Sequence, residues 1–168
     1  LVPHDTMMAN PDSGPFKSAR PLGITEAQPA RSLNDEKMRQ FYILEKWVAL
    51  EKVIGYCFFG PAPRSFIMPE VVKESVNLAT GWELTLEDLL EIGERAINMA
   101  RVYNAREGFS RKDDVLPERL YGGLENGALQ GESMPREDFQ EALSVLYGYK
   151  GWDPERGIPT RERLEALS

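Results

Sequence analysis

Three groups of residues in this chain have types and spacing that could do chemistry. The first is Cys57, the only cysteine among 168 residues, in the run EKVIGYCFFGPAP from Glu51 to Pro63. A lone cysteine can pack as a small hydrophobe, since free cysteines are among the most buried residue types. It can also be one ligand of a metal site whose other ligands lie elsewhere. A thiolate beside Tyr56, Phe58 and Phe59 needs a metal or a positive charge close by. The second is His4, the only histidine, either a surface side chain or a proton carrier. The third is the acid pair Asp113 and Asp114 in SRKDDVLPERL, which fits a solvated cap beside Pro117 better than a catalytic dyad. One histidine excludes a paired-histidine metal site, and neither a phosphate-binding glycine loop nor G-x-S-x-G is present.

The elements that must position these residues read as helices. Asn34 caps a helix running to about Ile54, with Asp35 and Glu36 at the positive end of its dipole. Met38, Phe41, Leu44, Trp47 and Val48 form its apolar side, and Glu45, Lys46, Glu51 and Lys52 its polar side. Gly55 stops it just ahead of Cys57. A second helix starts near Met68 with Pro69 in its first turn and closes at Gly81. Thr85 opens the strongest helix, Asp88 completing a capping box, and Gly108 ends it. Gly93 interrupts its apolar stripe at a cost of about 1 kcal/mol against alanine, which points to a neighbouring backbone in close approach. A fourth helix spans about Pro135 to Tyr147, and Thr160 caps a short last one. Residues 1–33, rich in proline, serine, glycine and asparagine, read as a looping arm that is not packed. No βαβ spacing occurs, so the class is all-α: about five helices in residues 34–168 behind a loop-rich arm.

Composition narrows the function. With 27 acidic and 20 basic side chains the net charge is −7, unsuited to non-specific nucleic-acid binding. No apolar run nears the ~20 residues that cross a bilayer, and no secretory leader is visible. One cysteine makes no internal disulfide and fits a reducing, cytoplasmic setting. The chain opens on Leu1 instead of methionine, as expected if residues before Leu1 were removed or if this is one piece of a longer polypeptide.

Longer stretches add a resemblance. TGWELTLEDLLEIGERAINMARVYNAREGFSRKDDVLPERL, Thr80 to Leu120, resembles the C-terminal part of the tungsten-containing aldehyde:ferredoxin oxidoreductases. The shared features are Gly81–Trp82, the turn Ile92–Gly93–Glu94–Arg95, Asn104 to Gly108, and Asp113 to Arg119. LYGYKGWDPERGIPTRERLEAL is similar to the family's closing segment, so the likeness runs from about Asn34 to Leu167.

The resemblance implies that Cys57 is the fourth cysteine ligand of a [4Fe-4S] cluster, in the family's D-x-x-G-[LI]-C pattern. Gly55 and Cys57 match that pattern, and Tyr56 stands beside them. Lys52 replaces the aspartate that in the family binds the pterin, turning an acceptor into a cationic donor. His4 would correspond to a histidine of the substrate pocket, able to hydrogen-bond an oxo ligand or the aldehyde oxygen. The resemblance also implies a tungsten or molybdenum bis-pterin, ferredoxin as electron partner, a homo-oligomer, and an upstream portion or partner subunit bearing the other cluster cysteines. This chain would then be a C-terminal fragment or subunit of such an enzyme. The alternative is a free-standing helical module of the same fold that holds no cofactor.

Overall fold

A computed structural model describes residues 8–57, 60, 67–128 and 130–168 of the chain. Among the described residues six α-helices follow one another: α1 (Gly14–Ala19), α2 (Asp35–Val53), α3 (Pro69–Thr80), α4 (Leu86–Arg106), α5 (Arg136–Lys150) and α6 (Arg161–Ala166). The described residues hold no strand; Trp152 and Pro159 form an isolated bridge. The all-α expectation holds.

Helix ends follow the sequence chemistry closely. The Asn34 carboxamide oxygen accepts from the Lys37 amide at 2.9 Å, and Thr85 and Asp88 exchange both hydrogen bonds of a capping box. Thr160 caps α6 by accepting from the Arg163 amide.

The two longest helices, α2 and α4, form the spine, and Gly93 is where they touch. A β-carbon at Gly93 would lie 2.0 Å from the Lys46 carbonyl oxygen and 3.1 Å from the Leu50 nitrogen. No side chain fits there, so the backbones themselves meet. The contact brings Trp47 and Leu50 of α2 into one core with Leu89 and Leu90 of α4. On another side of α2, Met38 and Tyr42 pack with Ala142 and Leu146 of α5.

Ion pairs then fasten the remaining pieces. Glu94, almost wholly buried, takes the Arg163 guanidinium from α6 and faces Lys46 at 3.7 Å. Arg95 donates to the Leu167 carbonyl at 2.6 Å. Asp114 accepts from Arg101 through both oxygens and from the Tyr147 hydroxyl, which joins the charged turn to α4 and α5. Asp113 accepts from the Ser110 amide, so the acid pair is a cap and an ion-pair partner. The Trp152 indole donates to Asn98 at 2.8 Å inside the core.

The N-terminal arm corrects one expectation: its described part is packed. Met8, Phe16, Ala19, Leu22 and Ile24 are buried in the same core as Trp47. Polar side chains of α2 satisfy the arm's carbonyls. Lys37 donates to Pro29, Arg39 to Gly23 and Gln40 to Glu26. The helix α1, capped by Ser13, is only six residues long. That is too short to show a periodicity, so its apolar residues look scattered in the sequence.

Two glycine substitutions separate the packing requirement from helix propensity. Gly93→Ala should lower unfolding stability by about 3 kcal/mol or more, because the helices must move apart. Gly148→Ala, in α5 with open space around it, should raise stability by up to about 1 kcal/mol. Urea unfolding of both variants checks the pair.

Candidate cofactor-contact site

The site lies at the C-terminal end of α2. The helix ends in a Schellman cap: the Tyr56 amide donates to the Glu51 carbonyl at 2.9 Å and the Gly55 amide to Lys52 at 3.4 Å. Gly55 adopts φ 78°, the left-handed conformation that such a cap requires of its reversing residue. Lys52, Gly55 and Cys57 therefore have fixed geometrical places. Lys52 is in the last turn, Gly55 reverses the chain, and Cys57 is the second residue beyond the reversal.

Cys57 emerges from that turn exposed, with no disulfide partner. It does not fill a core among the described residues. Gly60 follows, its amide donating to the Cys57 carbonyl at 2.8 Å. Tyr56 is also exposed. Phe58, Phe59 and His4 lie outside the described residues, so the expected apolar shell and the pocket histidine are not placed here.

The neighbours Glu51 and Lys52 point to opposite environments. Lys52 is exposed, in the last turn, where a cation suits the negative end of the helix dipole. Glu51, expected on the polar side of α2, is instead only 2% exposed. One of its carboxylate oxygens, Oε2, is buried with no hydrogen-bond partner. Burial pushes the Glu51 carboxyl up to about 7, against a hydrogen bond from Trp47 and the Lys52 charge, which lower it. Sequence reasoning missed this residue because a glutamate reads as surface; the only signal was its place one turn beyond the buried Trp47.

The donor set supports a limited cofactor role. No group of three histidine, cysteine, aspartate or glutamate side chains that could hold a metal occurs among the described residues. A [4Fe-4S] cluster needs four ligands, so this chain can offer it one thiolate, and the outward-facing Cys57 fits that part. Lys52 does not fit the acceptor role toward a pterin, because an ammonium has no lone pair to offer. No helix among the described residues is long and apolar enough to cross a membrane.

Comparison with known proteins bears on this geometry. Residues 4–168 match the family model for aldehyde ferredoxin oxidoreductase, domains 2 and 3. The chain is 30% identical over 148 residues to the tungsten-containing aldehyde ferredoxin oxidoreductases of Pyrococcus furiosus and Thermococcus kodakarensis. Each match takes in 87% of this chain and 23% of the relative. It is also 34% identical over 149 residues to an aliphatic sulfonate oxidoreductase, WOR-like subunit, of Pyrococcus furiosus, covering 85% of this chain and 22% of that one. The chain thus spans under a quarter of the length of these relatives.

The buried carboxyl gives a pH signature. Its folded-state affinity for a proton exceeds the unfolded one, so the folded state binds more protons between about pH 4.5 and 7 and loses stability across that window. Glu51→Gln removes this loss. The variant should match the parent near pH 5 and exceed it in stability at pH 8, as read by denaturant unfolding at both values. Equal stabilities at pH 8 would show that the carboxylate is not desolvated.

Proposed function

Because the chain belongs to the aldehyde ferredoxin oxidoreductase family, we propose that it is the C-terminal part of a tungsten- or molybdenum-pterin oxidoreductase that converts aldehydes to carboxylic acids. The observation that carries this reading is the exposed Cys57, set by the Gly55 reversal at the end of α2. Within the complete enzyme Cys57 supplies one thiolate to a [4Fe-4S] cluster, and the other three come from an upstream portion or partner subunit. The metal–pterin centre and the cluster, when bound, supply the redox chemistry, and ferredoxin is the electron acceptor.

The protein's own residues hold and tune. The Schellman cap fixes the chain as far as Tyr56, so Cys57 follows directly on a set helix end and offers its sulfur to the cluster. Lys52 places a positive charge five residues before the thiolate and offsets both the helix terminus and the anionic cluster. Tyr56 contributes apolar ring surface beside it, limiting water. His4 is proposed to hydrogen-bond the aldehyde oxygen in the substrate pocket. The assembly is proposed to be cytoplasmic and homo-oligomeric.

The Lys52 side chain favours a second reading, a free-standing helical module with no cofactor. Metal analysis of the native protein with its partners distinguishes the two: absence of iron and tungsten selects the module.

Cys57→Ser in the complete enzyme should abolish or convert the reduced-cluster EPR signal and lower the iron content, with the fold retained by circular dichroism. An unchanged four-iron signal would remove Cys57 from the ligand set. Lys52→Asp should leave iron content unchanged. It should make the cluster's reduction potential more negative, on the order of tens of millivolts, since added negative charge disfavours the reduced form. The shift should shrink in high salt because Lys52 is exposed.

A further inference from the structure

The helix α4 has a second apolar face that nothing among the described residues covers. Gly93 and Leu89 turn toward α2, yet Met99 is 72% exposed and Tyr103 65%. Across from them Val53, in the last turn of α2, is 54% exposed. Val53, Ile92, Ala96, Met99 and Tyr103 line one groove of about 620 Å³. A second groove of about 480 Å³ runs between Met99 and Tyr103 on one side and Leu164 and Leu167 on the other. Met99 and Tyr103 are thus a ridge between two apolar grooves, a shape that interlocks with a complementary helix or sheet face. Contiguous apolar surface of this kind marks an interaction site, and methionine and tyrosine are enriched in interface cores. Arg95, the one cation shared by both grooves, is already held by Glu91 and the Leu167 carbonyl, so it does not call for an acidic partner.

We propose that this α4 face, with Val53, is the docking surface for the portion of the enzyme that carries the other three cluster cysteines. This rests on the proposed cluster role of Cys57. Two facts select that occupant over a second copy of the chain. The matched relatives are more than four times longer than their aligned part, and the family model is that of domains 2 and 3, so in those relatives further chain accompanies the matched part. The groove also begins at Val53, four residues before Cys57, on the helix whose cap presents the thiolate. One cluster gathers four thiolates around itself, so the body that bears the other three comes up to Cys57, at the end of α2 where this groove begins.

Methionine oxidation tests the surface in the unmodified protein. The complete enzyme is treated with dilute hydrogen peroxide, and sulfoxide at Met99 is followed by mass spectrometry against a methionyl peptide in the same tube. Met99 should react at least about ten-fold more slowly than the peptide. That protection should survive dilution for as long as the iron stays bound, because it comes from the portion that holds the rest of the cluster. Reaction at the peptide's rate would overturn the proposal, as would protection that disappears on dilution while the iron stays bound, which would assign the face to a second copy. The same measurement on Cys57→Ser separates the two readings. Protected Met99 in a Cys57→Ser enzyme that keeps its full iron leaves the docking face standing and removes only the cluster assignment.

Discussion

Everything in this fold hangs on the approach of two helices at one glycine. At Gly93 the backbone of α4 lies against the backbone of α2, closer than any side chain would allow. That crossing sets the depth at which Trp47, Leu50 and Leu89 meet, and so where the core lies. It also carries Glu94 into the interior, where Arg163 and Lys46 neutralise it. Buried ion pairs of this kind add little net stability but strongly penalise any arrangement that breaks them. Their effect is to specify how α6 docks on the α2–α4 pair.

The residues that carry the family likeness are for the most part scaffold. Gly93 makes the crossing, Glu94 and Arg95 fasten the C-terminal segment, and Asp114 ties Arg101 to Tyr147. Trp152 closes over Asn98. None of these side chains lies in the turn that presents Cys57. The likeness therefore reports a shared architecture first. The site is a consequence of how that architecture ends α2.

At that end, adjacent residues divide the electrostatics. Glu51 is drawn inward and binds its proton more tightly, while Lys52 stays in water. A helix rotates by roughly 100° per residue, so neighbours in sequence reach opposite environments. The helix end that leads to Cys57 thus has a basic side chain outside and a buried carboxyl that resists ionisation inside.

The sequence by itself determined the helices and their ends, because capping is local chemistry. Asn34, Thr85 with Asp88, and Thr160 each satisfy amides within three residues of themselves. It also determined that Gly93 had to meet another backbone, and that the described chain holds one thiol. Tertiary structure alone decided what is buried among polar and irregular segments. The arm packs because Lys37, Arg39 and Gln40, charged or polar in the sequence, turn toward carbonyls up to 16 residues away. Glu51 is interior and Met99 exterior, each against its type, because burial depends on which neighbour arrives, and no local pattern encodes that. Cys57 shows the division within one residue. Its position after a helix-ending glycine is written in the sequence, while its exposure, which makes it available to a partner, is set only once α2 is placed.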